Sequence, residues 1–273
     1  MTKRVFALML AVLMMLCTAA ACSQEDDMID DPVINIGVQT PTYKDDHGDT
    51  FTYEHLSSTT VTITGFSGND EPHTVTIPAT VTEMVKGEGG KLEPVVKQVV
   101  AVADKAFYAN SNISDIKCEA ELVSIGNYAF AYCEALKTIE LAASVETIGV
   151  GAFYNCSSLV SCKLSESLTE IGTAAFRNCG ALLSITFPTT LKTIGDFAFG
   201  DCVSLNAIDI PEGVVTVGAQ AFYNCTAVES LKLPASLTEI GDWAFNPIVR
   251  DLPDEAITVV ESSVAAEYIE QFR

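Results

Sequence analysis

Histidine is nearly missing from this chain. It has three in 273 residues, His47, His55 and His73, all in the first third. The long repeated region that follows has none, so a Ser-His-Asp or Cys-His device there would lack its base. Positive charge is scarce as well: 15 Lys and Arg stand against 36 Asp and Glu, a formal charge of −21. Nucleic-acid binding needs basic stripes that displace counterions, and docking on an anionic bilayer needs the same sign of charge. The composition argues against both and fits a soluble, self-repelling exterior. No glycine-rich phosphate loop precedes a helical stretch, so nucleotide binding has no support. His47 stands beside Asp45, Asp46 and Asp49, but that spacing matches no metal-ligand motif and reads better as a flexible acidic segment. No metal, cofactor or catalytic residue is expected.

What the chain does have is repetition. An Ile-Gly or Val-Gly pair begins at Ile125, Ile148, Ile171, Ile194, Val217 and Ile240, at one unvarying step. An Ala-Phe pair keeps the same step, ending at Phe107, Phe130, Phe153, Phe176, Phe199, Phe222 and Phe245. Three residues past five of these Phe lies a cysteine: Cys133, Cys156, Cys179, Cys202 and Cys225. A fixed period of this length marks a solenoid, in which each unit contacts only its neighbours.

Nine and eleven residues past each Phe the side chains are mostly apolar, as at Ile139 and Leu141 or Ile208 and Ile210. The residues between and before them mostly are not. That alternation predicts a short strand with one face inward, stopped in the later copies by Pro188, Pro211 and Pro234. The glycine after each Ile fits a backbone turn needing positive φ or close approach. The Ala-Phe segment is too short for a free helix and reads as a helical turn pinned by a buried Phe. One coil buries too little to offset the ordering of its backbone, so neighbours must share a core and a parallel ladder. The expected fold is an α/β repeat, a right-handed solenoid of 23-residue coils. It has a parallel β-sheet on one face and short helical turns on the other.

The cysteine spacing is no zinc signature. Stacked neighbours about 4.8 Å apart have parallel side-chain vectors that hold their sulfurs out of disulfide geometry. Free buried thiols are expected, including Cys118 and Cys162 at strand core positions.

The pattern L-x-x-I-G-x-x-A-F-x-x-C-x-x-L-x-x-I-x-[LIF]-P resembles the BspA-type leucine-rich repeats of bacterial surface proteins. It does so closely from Val99 to Phe245. The resemblance implies a binding or adhesion scaffold and not an enzyme. Cys162 departs from the pattern, as does Ile248 where the cysteine would stand.

The ends read differently. Lys3 and Arg4, the apolar run Val5 to Leu16 and the small residues up to Ala21 form a secretion signal over residues 1–21. Ala19-Ala20-Ala21-Cys22 resembles a lipobox, which makes Cys22 the lipid-attachment residue; a plain cleaved signal or a retained membrane helix is the alternative. Ser23-Gln24-Glu25-Asp26-Asp27 resembles the surface-export signal of Bacteroidota lipoproteins, or is simply a solvated tether. The expected location is the outer membrane, lipid-anchored and facing outward. Residues 22–49 are assigned to the tether, 50–98 to a β-rich N-terminal cap with a hairpin tip at Gly87 to Gly90, 99–248 to the solenoid and 249–273 to a C-terminal cap.

The outward side chains of the predicted strands form the candidate ligand face: Lys117, Thr138, Glu140, Ser161, Lys163, Ser184, Thr186, Asp209 and Lys232. Read structurally, they are a ladder of neighbours supporting the stack. Read functionally, they are a shallow surface for a protein partner or, alternatively, a glycan. Tyr108, Tyr132, Tyr154, Phe197, Tyr223 and Trp243 lie around the Ala-Phe turns and could anchor either.

Overall fold

The computed structural model describes residues 40–68 and 70–272. The signal, Cys22 and residues 23–39 of the tether lie outside these. Seven strands open the described part: β1 (Thr42–Lys44), β2 (Thr50–His55), β3 (Thr60–Ser67), β4 (His73–Ile77), β5 (Thr80–Lys86), β6 (Leu92–Val102) and β7 (Ile113–Cys118). Two columns of very short parallel strands follow. Within each sheet a strand pairs in register with its equivalent one coil later, as Ile148 does with Ile171 and Ile208 with Leu231.

The predicted column is present at Thr138–Glu140, Ser161–Lys163, Ala207–Asp209 and Ser230–Lys232, with Ile139, Cys162, Ile208 and Leu231 facing inward. A second column was not expected. Ser124–Ile125, Thr147–Ile148, Glu170–Ile171, Thr193–Ile194, Thr216–Val217 and Glu239–Ile240 stack in parallel and continue from β6. The Ile of each Ile-Gly pair therefore ends a strand and points into the core.

The glycine after it serves close approach. A Cβ on Gly172 would lie 2.7 Å from the Gly149 carbonyl carbon, and one on Gly195 would lie 2.6 Å from the Thr173 nitrogen. Neither glycine has a positive φ. The left-handed residues lie elsewhere, two before each Phe and two after each from Phe107 to Phe222, as at Tyr128 and Tyr132 or Ala174 and Asn178, with φ of 53–63°. They bend the Ala-Phe segment into hydrogen-bonded turns where a single helical turn was expected; among the described repeats no α-helix forms.

Those turns make a third ladder. In the coil of Phe130 the amides of Tyr128, Phe130 and Tyr132 donate to Val150, Ala152 and Tyr154 of the next coil. Each Phe from Phe107 to Phe222 donates in this way to an alanine carbonyl at 2.7–2.8 Å. Six consecutive pairs of Phe rings stack with centroids 4.8–5.4 Å apart and planes within 15° of parallel. Beside them the thiols of Cys133, Cys156, Cys179, Cys202 and Cys225 donate to the Phe carbonyl of the preceding coil at 3.1–3.2 Å. All seven described cysteines are free.

Both ends are covered. At the start, β1, β2 and β3 form an antiparallel meander, and Phe51 and Phe66 close over Phe107. β3 pairs parallel with β6, and β4 pairs parallel with β7. The two strands therefore occupy the two strand columns and make a first, irregular coil. The stretch assigned to the tether ends too late. β1 lies within it, with Tyr43 packed against the Phe51 ring, and Asp49 is buried. At the other end come α1 (Ile248–Asp251), the strand Ile257–Thr258 paired to Ser230–Lys232, and α2 (Val264–Phe272). Tyr268 of α2 sets its ring edge-on to Phe245, and its hydroxyl accepts the Phe245 amide at 3.3 Å, where an alanine carbonyl stood in every earlier coil. Among the described residues no helix is long and apolar enough to cross a membrane.

Candidate binding surfaces

The nine residues of the predicted ligand face all lie on one column and are exposed. Their charges are largely engaged with one another. Lys163 donates to Glu140 one coil before it, Lys232 to Asp209 at 3.1 Å, and the Thr138 hydroxyl to Asp115. These exposed pairs line up the coils and add little energy. Ser184 and Thr186 mark an interruption. Their coil holds only a single bridge, Ser161 to Ser184, so the column divides into two sheets. Phe187 stands there where most other coils have a smaller side chain, and its ring reaches Phe199 edge-on at 5.5 Å. A shallow groove of about 370 Å³ opens at the break, lined by Ile185, Thr186, Phe187, Asp209, Pro211, Glu212 and Lys232.

A second surface lies over the turns. Tyr108, Tyr132 and Tyr154 sit on successive coils with rings edge-to-face at 5.5 and 5.4 Å. Tyr128 adjoins them, its ring covering the place where a Cβ on Gly151 would be. Tyr108 and Tyr132 are well exposed; Tyr154 is partly covered and lies 3.4 Å from the Asn178 amide. Burial and the neighbouring phenols push the Tyr132 hydroxyl above its ordinary value. Phe197, under the Arg177 guanidinium at 4.6 Å, and Trp243 lie farther along. The sequence placed tyrosines near the turns but could not show that three of them touch. Contact requires the turn to carry its left-handed residues in the same place in every coil.

Reactive groups are held inert. Burial pushes the repeat thiols far up, Cys133 and Cys225 to about 12, which leaves almost no thiolate at neutral pH. Among the described residues no three metal-binding side chains converge. In the cap, burial works against the charge on Glu83, but His55 at 2.8 Å and Lys97 at 3.2 Å outweigh it and hold the carboxyl low.

His73 donates one ring nitrogen to the Glu71 carbonyl at 2.9 Å and the other to both oxygens of buried Asp49 at 3.0 Å. The backbone bond to Glu71, with Asp49 behind it, raises the His73 pKa against the cost of burial. A raised folded pKa adds stability that is complete below the unfolded value of about 6.5 and fades as pH climbs through the folded one. Denaturant midpoints measured across that range should therefore fall with rising pH, and His73→Gln should flatten the decline. An equal slope in both proteins would remove His73 as its source.

These features define a class: a leucine-rich-repeat solenoid, whose coils stack on one core and whose surfaces, not a pocket, are what it presents. The chain belongs to the family of the BspA type leucine-rich repeat region, which matches in six copies over residues 100–226 and 169–250. It is similar to the crystal structure of a leucine-rich repeat protein of T. pallidum, with 27% identity and a TM-score of 0.64, over 81% of this chain and 92% of that one. It also resembles a leucine-rich repeat protein of Bacteroides ovatus, with 26% identity and a TM-score of 0.54, over 71% of this chain and 54% of that one. No curated protein matches the chain. Repeats of this kind are generally non-catalytic scaffolds for protein interaction.

Proposed function

We propose that the protein is a surface-displayed, non-catalytic adhesion lipoprotein, anchored at the outer membrane through Cys22, whose solenoid binds a host or matrix protein. The observation that carries this reading is the tyrosine strip of Tyr108, Tyr128, Tyr132 and Tyr154. Tyrosine is enriched among interface residues that dominate binding energy, and rings already fixed by their neighbours lose little freedom on contact. The charges of the strand face are engaged between coils and offer a partner less. The anchor rests on the sequence from Met1 to Asp27.

The test is a pull-down from extracellular and matrix proteins with the wild type and with Tyr108→Ala/Tyr132→Ala. Loss of about 2 kcal/mol or more, roughly thirtyfold in affinity, is expected for the double variant. Retained affinity, or loss confined to Lys163→Ala/Lys232→Ala, would move the site to the strand face. The second reading is a glycan-binding accessory lipoprotein, supported by the same exposed rings. A glycan array that binds the wild type, with no protein captured, decides for it.

A further inference from the structure

The hairpin of β5 and β6 leaves the body of the protein. From Glu83 to Val96 the two strands pair only with each other; β6 meets β3 from Gln98 onward and the next coil only at Ala101. Gly89 and Gly90 make its tip, both with positive φ. Every residue from Glu83 to Val96 is exposed or half-exposed. Register sorts the side chains into two faces. Met84 stands opposite Pro94, Lys86 opposite Leu92 and Thr82 opposite Val96, so Met84, Leu92, Pro94 and Val96 share one face, with Thr82 and Lys86 at its two ends. Glu83 and Lys97 belong to the other, where Glu83 meets both His55 and Lys97. On the first face Met84 is 56% exposed, Leu92 53% and Val96 55%. A two-stranded ribbon is marginal in water by itself, and one with a bare apolar face is a contact surface without its contact.

Charge indicates what covers it. Between Glu83 and Lys97 the arm has Glu83, Glu88 and Glu93 against Lys86, Lys91 and Lys97, so it is neutral on a chain of formal charge −21. Two such acidic bodies meet there with less repulsion than their overall charge implies, and Lys86 and Lys91 at its tip suit an acidic neighbour. We propose that the arm is a self-association device: two copies of the chain pack these apolar faces together about a twofold axis, as a small two-layered β-structure. A standard interface takes about 20–30 residues from each side. One face of the arm offers about a quarter of that, which sets the dimer at the weak, concentration-dependent end. The inference does not depend on which partner the tyrosine strip binds.

Sedimentation velocity of the purified protein over a wide concentration range tests it. The wild type should shift from monomer to dimer. Met84→Lys/Val96→Lys should stay monomeric, with at least a tenfold loss of self-association and an unchanged melting temperature, since both residues are half in solvent. Val160→Lys, another exposed apolar position far from the arm, should dimerise as the wild type does. Hydrogen exchange of the wild type supplies a reading free of substitutions: amides of residues 83–96 should slow at high concentration. A wild type monomeric at every concentration, a dimer that survives the double variant, or exchange in the arm unaffected by concentration would overturn the proposal. Binding of a monomeric wild type to zwitterionic vesicles through the arm would overturn it too, in favour of a lipid occupant.

Discussion

Phe176→Ala is expected to destabilise the protein by about 3–5 kcal/mol, the usual cost of emptying a buried Phe site, which for a domain of this size lowers the melting temperature by roughly 6–20 °C. The site has no means of collapsing. The Phe176 ring lies between Phe153 and Phe199 at 5.0 and 5.1 Å, and the backbone around it is fixed by the turn ladder, with its own amide donating to Ala198. The rings above and below cannot move together without breaking that ladder. The void also falls mid-stack, so coupling between the two halves weakens and unfolding should lose cooperativity. Trp243→Ala is the control. Its ring is 52% exposed, and a cost of about 1 kcal/mol or less is expected. Denaturant titration of the three proteins measures all of this, and similar midpoints for Phe176→Ala and Trp243→Ala would show that the ring column does not hold the coils.

Gly172→Ala is the second large effect, with overpacking instead of a cavity as its cause. The added methyl would meet the Gly149 carbonyl carbon at 2.7 Å and the Ile148 oxygen at 2.8 Å. Those are backbone atoms of the preceding coil, so no side chain can turn aside. The two coils must separate where the Gly172 amide donates to Ile148 at 2.8 Å. Stiffening the unfolded chain returns about 0.4–1 kcal/mol, but overpacking of this kind costs about 1–3 kcal/mol and occasionally more. The clash wins, and a net loss of about 2 kcal/mol is expected. Gly180→Ala separates the two contributions. Its methyl would find only a Val203 side-chain atom at 3.8 Å, so that variant should be neutral or slightly more stable. Should Gly172→Ala melt with the wild type, the close-approach account of the Ile-Gly pair is wrong.

The sequence showed most of the core directly. Period-two alternation gave the strand at Ile139 and Ile208, and the regular recurrence of Phe and Cys gave the buried columns. The Thr-Ile strands stayed hidden because two residues are too few to display an alternation. The left-handed positions were half-visible. After the Phe, Asn155, Asn178, Asp201 and Asn224 are residue types that tolerate that conformation. Before it, Lys105, Tyr128, Phe197 and Trp243 are not, and the hydrogen bonds between coils impose it on them. Asp49 and His73 lie 24 residues apart outside the repeat, so no pattern joined them. The nine strand-face residues lie along one column. The ladder reading of that face anticipates the pairs Lys163–Glu140 and Lys232–Asp209, because residues one period apart become neighbours.

Because the coils keep one constant step, the gene can lose or gain them as units. The turn ladder, the Phe stack and the Ile-Gly column repeat at each junction within the repeats, so excision of residues 177–199 would join Phe176 to Gly200 as Phe199 is joined now. The rod would shorten by one increment of about 4.8 Å with both lids untouched. Duplication of the same stretch would lengthen it equally. Evolution can thus adjust how far the molecule extends in whole notches, without redesigning the ladders that join the coils.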